Sequence, residues 1–477
     1  MIKRPLAVDL DGTLIRSDML HETALNSSQK SLLGILLWPF YLIIGKAFLK
    51  KKIAEHANFE VNLLPYRQDF LDFLKERKLQ GQKLILCTAS DQSVANKISE
   101  HLGIFDEVMA SNGTKNLAGR NKANELIDRF GEGAFEYAGN SFEDLYVWKH
   151  SSSAILVSAN LKLVNAASKL TNISMIFQSD DSTTKLKAIF KSLRAHQWLK
   201  NLLIFMPVIA SHQLNQQDNL VTISLVFFAF SFCASSVYIL NDLFDLESDR
   251  AHPRKCNRPF ASGKLSILFG VFLAPTLLLI SVLLSINIGY QFLFWMAIYF
   301  VITCAYSLRL KKLVLIDCIV LALLYTLRIV AGASAFGMPL SFWLLAFSVF
   351  LFLSLAFVKR YAELEVQIIN GVKKINGRGY YTSDAPILQT LGIASGFAST
   401  LVLALYLNSD AVLELYKVPQ FIWGAILVLL FWISWIWIQA HRGNMHDDPL
   451  VFAIKDRISI FSGVLFGLFI WLGAVGL

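Results

Sequence analysis

From residue 196 onward the chain alternates long apolar runs with short charged loops. Windows near 20 apolar residues, the length a helix needs to cross about 30 Å of hydrocarbon, fall at approximately 198–211, 219–241, 265–285, 290–308, 313–335, 341–358, 387–407, 419–439 and 458–476. The first is short and reads as partly interfacial. The pattern predicts an all-α polytopic membrane domain of about nine transmembrane helices. The first 160 residues read differently. Leu6 to Asp11 reads as a buried strand ending in two carboxylates before a glycine turn. Lys83 to Ser90, Tyr137 to Asn140 and Ala154 to Val157 read as three more strands, with helical patterns between them. That alternation predicts a parallel α/β sheet whose site lies at the carboxyl ends of the strands.

The expected organisation is an α/β domain at 1–160 with a small apolar cap inserted at about 18–70. A linker with a basic amphipathic segment follows at 161–195, and the membrane domain occupies 196–477. The cap contains the apolar stretch Ser31 to Leu49, followed by Lys50-Lys51-Lys52. A single crossing there would leave Asp9 and Thr88 on opposite sides of the bilayer. It therefore reads as a hairpin dipping into the interface, broken at Pro39, with lysines on lipid phosphates. A greasy cap core is the alternative. Ser179 to Thr184 is a polar linker, and Lys185 to Arg194 reads as a basic helix along the membrane surface.

Composition agrees with a membrane protein. Of 477 residues, 55% are hydrophobic and 17% charged, with a mean hydropathy of +0.50. The net charge of +9 does not gather into a basic domain, so no nucleic acid is expected as a partner. The five cysteines show no paired spacing, which argues against a zinc site or a disulfide framework. Lys3 and Arg4 run directly into a strand, so no secretory signal is expected. Segments 243–264, 309–312, 359–386 and 440–457 hold 5, 3, 5 and 3 Lys/Arg, while the alternate loops hold only Lys417. This positive-inside bias predicts a cell (inner) membrane protein with the α/β domain and the charged loops cytoplasmic.

The densest chemistry lies at the end of the second apolar run, Asn241-Asp242-Leu-Phe-Asp245-Leu-Glu-Ser-Asp249. On a continuous helix Asp242, Asp245 and Asp249 fall within about 60° of one another. Like charges so stacked repel unless a cation lies between them. Mg²⁺, a hard ion that shares carboxylates with phosphates, suits the place. A solvated acidic helix end is the bland alternative. This motif, continued by Arg250 and His252 to Pro259, resembles the first aspartate-rich motif of the UbiA superfamily of intramembrane prenyltransferases. Supporting segments are Arg194 to Asn201, Tyr306 to Lys312, Asp317 with Leu327 to Gly332, and Lys359 to Glu363. The branch most similar is that of decaprenyl-phosphate phosphoribosyltransferase.

In the first domain, Asp9-Leu-Asp11-Gly-Thr-Leu, Thr88, and Gly139-Asn140 with Asp144 resemble the motifs of haloacid dehalogenase (HAD) phosphatases. The resemblance implies Asp9 as nucleophile, Asp11 as acid and base, Thr88 on a phosphoryl oxygen and Lys122, rather than Lys115, neutralising its charge. Asp9, Asp11 and Asp144 would hold Mg²⁺. Asn140 departs from the Asp common in that family, which leaves an inactive scaffold as an alternative.

Aromatic prenyltransferases of the UbiA superfamily carry a second motif, D-x-x-x-D. Here Asp317 is followed by Cys318-Ile-Val-Leu321, without the partner carboxylate. Cations abound instead, and Lys200, Asn201, Arg250, Arg258, Arg309, Lys311, Asp317, Arg328, Lys359 and Arg360 are the expected substrate-binding residues. Arg328, inside an apolar run, should face a cavity and pair with a phosphate or carboxylate. His446-Asp447-Asp448-Pro449 is a weaker rim candidate. Extra cations and fewer carboxylates suit two phosphate-bearing substrates, and the resemblance to the phosphoribosyltransferase branch implies a phosphoribosyl diphosphate donor and a polyprenyl phosphate acceptor, one Mg²⁺ in each domain, and a downstream oxidase and reductase of a lipid-linked sugar as partners. Aromatic polyprenyl transfer and membrane transport are the alternatives.

Overall fold

The computed structural model describes residues 3–30, 32–178, 182–211, 218–369, 371, 373, 378–445 and 448–476. Two compact units emerge, Met1–Leu193 with Tyr238–Ala274, and Arg194–Val237 with Pro275–Leu477. The segment bearing the aspartate-rich motif thus packs within the first unit.

That unit is built on six parallel strands: β1 (Leu6–Val8), β2 (Leu84–Asp91), β3 (Glu107–Ser111), β4 (Glu136–Gly139), β5 (Ser153–Ala159) and β6 (Ile173–Gln178), in the order β3-β2-β1-β4-β5-β6. The central strands are buried on both faces, as their unbroken apolar runs require of a sheet covered twice. Helices α1 (Met19–Lys30), α2 (Leu32–Ile35), α3 (Trp38–Ile44) and α4 (Lys46–His56) follow β1, and α5 (Gln68–Leu79), α6 (Gln92–Leu102) and α7 (Arg120–Phe130) complete the cover used below. Strand order reverses at β1, flanked by β2 and β4, so a crevice opens at the carboxyl ends of these three strands.

Two strands escape the sequence pattern. β3 is only half-buried along most of its length, and β6 is an edge strand with Met175 and Ile176 exposed. Each has an apolar run of only three residues, Val108 to Ala110 and Met175 to Phe177, too short to mark a strand. Because β6 lies at Ile173–Gln178, the sheet continues past the expected boundary at 160 and takes up residues assigned to the linker. After it a helix, Ser182–Ser192, exposes Leu186 and Phe190 beside its lysines. The linker residues 179–181 lie outside the described residues.

Eight described helices are long and apolar enough to cross a membrane: Val221–Phe244, Ile267–Ile288, Tyr290–Leu308, Ile316–Ala335, Phe342–Ile369, Thr382–Tyr406, Pro419–His441 and Arg457–Val475. They fall on eight of the nine expected runs. The ninth, 198–211, is instead a 3₁₀ helix, Ala195–Phe205, followed by the short α-helix Met206–Ala210 with Pro207 in its first turn. Each piece is shorter than the roughly 20 residues a spanning helix needs. This 3₁₀ helix packs tightly: a Cβ on Gly332 would lie 1.9 Å from the Ile204 carbonyl oxygen, so only glycine fits there. Helix Phe342–Ile369 runs past the expected end at 358 and carries Lys359 and Arg360 on helix rather than loop.

Candidate functional site

Asp9 follows β1 directly and is buried. Its Oδ1 accepts a hydrogen bond from Lys122 Nζ at 2.8 Å. Lys122 enters from the first turn of α7 and also donates to Tyr137 Oη at 2.9 Å. Burial pushes the Asp9 pKa up to about 7 against the pull of Lys122. Burial would lower the Lys122 pKa, but Asp9 and Asp144 outweigh it and keep the ammonium charged. Lys115 is engaged elsewhere, paired at the surface with Glu125. Asp11 Oδ1 accepts the Met19 amide at 2.7 Å, and its Oδ2 accepts Ser90 Oγ at 2.8 Å and Thr88 Oγ1 at 3.4 Å. Burial, with Asp18 nearby, raises its pKa, which suits a group that hands a proton to a leaving oxygen.

The sequence reading missed three residues here. Ser90 holds Asp11, Tyr137 joins Lys122 to Asp144, and Lys50 arrives from α4 with its Nζ 2.7 Å from the Ala89 carbonyl oxygen. Nothing in local spacing points to Lys50, which lies in a run of three lysines. Asp144 is also corrected. Its Oδ2 accepts Asn140 N, Ser141 N and Ser141 Oγ at 2.8–2.9 Å, and its Oδ1 accepts Tyr137 Oη at 2.8 Å. Oδ2 fixes the turn after β4 and Oδ1 takes the Tyr137 hydroxyl, so Asp144 is engaged with protein rather than a ready metal ligand. Asn140 sits against Gly12, with its Oδ1 3.3 Å from Thr13 Oγ1. With Asn140 supplying a neutral amide oxygen beside Asp9 and Asp11, the site is a weaker donor set for Mg²⁺, which favours carboxylates, than one with Asp at that position.

In the aspartate-rich motif the continuous helix breaks. The first helix ends at Phe244, Asp245 forms a turn (φ −93°, ψ 15°), and Leu246–Ala251 resumes. Asp242 and Asp249, each 2% exposed, converge on one atom, Arg258 Nη1, at 3.1 and 2.6 Å. Asp245 parts from them and lines a cavity of about 220 Å³ with Glu22, Glu60 and Glu247. Asn241 is half-buried on the last turn before the break. No three His, Cys, Asp or Glu side chains among the described residues cluster to hold a metal by themselves. Two convergent carboxylates with a guanidinium nitrogen standing between them still fit Mg²⁺, which takes one or two carboxylates and completes its shell with substrate phosphates. Arg250 is a correction. Its guanidinium forks onto Glu22 at 2.6 and 3.1 Å and its Nε donates to the Ala261 carbonyl oxygen at 3.0 Å, so it is committed to protein.

Two polar clusters occupy the second unit. In one, Asp448 Oδ2 accepts Lys200 Nζ at 2.7 Å and Lys359 Nζ at 3.1 Å, while Tyr325 Oη lies 3.3 Å from both carboxylate oxygens. Burial would raise the Asp448 pKa, but the two lysines hold it well below the usual carboxylate range. His446 and Asp447 lie outside the described residues. In the other cluster, Asp317 meets Arg360 Nε at 2.7 Å and Arg378 Nη1 at 3.3 Å and accepts from Tyr380 Oη. Glu363 pairs with the same two arginines. Arg360 is fully buried, and its Nη2 has no hydrogen-bond partner among the described residues. Arg378 and Tyr380 were missed because they are remote in sequence.

Among the described residues Arg328 has no carboxylate partner; it donates to Asn201 Oδ1 (3.0 Å), the Leu324 carbonyl oxygen (2.6 Å) and Tyr299 Oη (2.8 Å), with aromatic faces around it. Asn201 in turn donates to Ser231 Oγ at 3.0 Å. These two expected substrate residues therefore lock helices together. Arg309 is exposed at the end of helix Tyr290–Leu308, and Lys311 is half-buried in the following 3₁₀ turn.

The sequence profile of the UbiA prenyltransferase family matches residues 202–455, more than half of the chain, which belongs to that family. A relative from Sinorhizobium fredii, the uncharacterized protein y4nM, is 38% identical over 97% of this chain and 90% of its own length. The nodulation protein NoeC of Azorhizobium caulinodans is 38% identical over 57% of this chain and 88% of its own. The decaprenyl-phosphate phosphoribosyltransferase of Mycolicibacterium smegmatis is 30% identical over 61% of this chain and 92% of its own. Among solved structures, a UbiA homolog from Archaeoglobus fulgidus bound to GPP and Mg²⁺ aligns with a TM-score of 0.45 at 19% identity over 60% of this chain and 98% of that one. A phosphoserine phosphatase in apo form aligns with a TM-score of 0.28 at 17% identity over 39% and 99%. The protein is a multi-pass membrane protein of the UbiA family with an additional N-terminal α/β domain.

Proposed function

We propose that the membrane domain transfers phosphoribose from phosphoribosyl diphosphate to a polyprenyl phosphate, and that the N-terminal domain removes phosphate from the lipid-linked product. One observation carries the donor assignment. Asp317, where an aromatic prenyltransferase would carry its second carboxylate pair, is ringed by Arg360 and Arg378 instead. Guanidinium forks suit phosphate oxygens, and two phosphate-bearing substrates need such cations more than an aromatic acceptor does. The likeness to decaprenyl-phosphate phosphoribosyltransferases supports the same choice.

Asp242 and Asp249, with Asn241 one residue before Asp242, would hold Mg²⁺. When bound, the ion neutralises charge on the diphosphate leaving group. An acceptor phosphate oxygen forms a bond to the anomeric carbon as the carbon–oxygen bond to diphosphate breaks. Arg258, released from the carboxylates, is free to orient phosphate; within the second unit, Arg360 and Lys359 are cations able to take a phosphate group. In the N-terminal domain Asp9 attacks phosphorus, Asp11 protonates the departing oxygen and then activates water, and Lys122 balances the phosphoryl charge. The product is polyprenyl-phosphoryl ribose with inorganic phosphate.

The positive-inside bias supports a cytoplasmic N-terminal domain in the cell membrane. An oxidase and a reductase of the lipid-linked sugar would act next. The test is a paired assay on purified protein: labelled phosphoribosyl diphosphate with polyprenyl phosphate, against polyprenyl diphosphate with 4-hydroxybenzoate. Label in the lipid phase of the first supports the proposal; turnover confined to the second replaces it with aromatic prenylation.

A further inference from the structure

We propose that α2 and α3 form a hairpin that inserts into the lipid bilayer and thereby directs the N-terminal site to phosphate esters carried on membrane lipids, the second half resting on the phosphatase reading above. Leu36, Leu37, Phe40, Leu42, Ile43 and Ile44 are each 47–83% exposed, and α3 buries none of its residues. So dense a run on a water-facing domain would be an aggregation hazard, and exposed apolar patches of this kind mark interaction surfaces. The bilayer is the occupant that the rest of the chain points to. Eight apolar helices keep it permanently within reach of this domain, and Lys46 and Lys51, both exposed at the base of the hairpin, match anionic headgroups.

Geometry permits dipping and forbids crossing. The seven residues of α3 extend only about 10 Å, enough to reach the boundary of headgroups and acyl chains. The residues before and after the hairpin also meet in one site, where Asp11 accepts from Thr88 and Ser90. Gly45 (φ 152°, ψ 152°) then turns the chain into α4 through a conformation that belongs almost entirely to glycine. Tyr41 packs edge-on against Phe48 at 5.7 Å across that turn. On α4, five residues past Gly45, Lys50 reaches the carboxyl end of β2 beside Asp11. One short helix therefore connects the apolar tip to the phosphate site. Seating the tip in lipid fixes α4, and α4 fixes Lys50, a cation for the phosphate of a substrate presented at the same surface.

The test uses the full chain in vesicles of phosphatidylethanolamine and phosphatidylglycerol. A nitrobenzoxadiazole fluorophore is placed on Ile43→Cys, with Cys256→Ser and Cys304→Ser removing competing thiols, and is quenched by nitroxides on the acyl chains. Strong quenching at 43 and none at a Lys169→Cys control is expected. Phe40→Asp/Ile43→Asp should slow release of phosphate from a vesicle-borne polyprenyl-linked phosphate ester at least tenfold while leaving p-nitrophenyl phosphate hydrolysis unchanged. Absence of acyl-chain quenching at 43, or self-quenching between labelled copies in its place, overturns insertion. Equal loss on both esters, or on neither, overturns the substrate restriction. A wild-type protein silent on both esters refutes the phosphatase reading itself, and the quenching result then decides insertion alone.

Discussion

Arg250 and Glu22, 228 residues apart in sequence, form a forked ion pair in which both side chains are only 6% exposed. The pair joins α1 to the short helix of the aspartate-rich motif, and Asn26 with Glu247 (3.2 Å) and Gln29 with the Phe244 carbonyl oxygen (3.0 Å) extend the seam. The same α1 donates its Met19 amide to Asp11. One helix of the first unit thus touches Asp11 and braces the aspartate-rich motif.

Removing one partner of a buried pair strands the other charge, at a cost of about 3–5 kcal/mol. Glu22→Ala should therefore lower the thermal midpoint of the detergent-solubilised protein by several degrees, and Glu22→Arg/Arg250→Glu should recover part of the loss. An unchanged midpoint for Glu22→Ala would show that the seam contributes nothing.

The break at Asp245 predicts unequal carboxylates. Asp242→Ala and Asp249→Ala should each reduce Mg²⁺-dependent transfer by at least about 100-fold, whereas Asp245→Ala should retain a measurable fraction. Chelation of divalent ions should abolish transfer by the wild type. Equal loss at all three positions in a transfer assay would restore the single-face arrangement.

Asn140 supplies a different prediction. Asn140→Asp adds the carboxylate that the N-terminal site lacks, so the Mg²⁺ concentration giving half-maximal phosphate release should fall by about tenfold. Phosphate release titrated against Mg²⁺ reads this directly. No change would mean that this position faces no metal.

Topology is open to thiol labelling with an impermeant reagent on intact cells. An engineered cysteine at Ser409 should react from outside, and those at Ser248 and Ser383 should not. Reaction of all three would break the assignment of the charged loops to the cytoplasm.

Residues whose chemistry is local were legible in the sequence. Asp9 and Asp11 follow an apolar strand, Thr88 lies in the carboxyl-terminal half of another, and Lys122 opens the helix that feeds the strand of Tyr137, so motif and element order place them. The eight long spans were legible because hydropathy alone marks them. Part of what failed depended on partners far along the chain, and part on local breaks and turns. Arg328 looked uncompensated, yet neutral acceptors on other elements, Tyr299 and Asn201, satisfy it. Arg250 looked poised for substrate until Glu22 claimed it. Asp245 looked coplanar with its neighbours because a helical wheel assumes no break. Asp144 looked like a metal ligand, but the turn takes one oxygen and Tyr137 the other. The edge strand β6 has too short an apolar run to have extended the domain past residue 160.

The central claim is that one chain makes a lipid-linked phosphoribose and then dephosphorylates it. Mass spectrometry of the lipid made from phosphoribosyl diphosphate and polyprenyl phosphate tests this most directly. The wild type should yield polyprenyl-phosphoryl ribose with equimolar inorganic phosphate, Asp9→Asn should stop at the phosphorylated lipid, and Asp242→Ala should yield neither. The same dephosphorylated lipid from Asp9→Asn, or no ribose-bearing lipid from the wild type, would contradict the account.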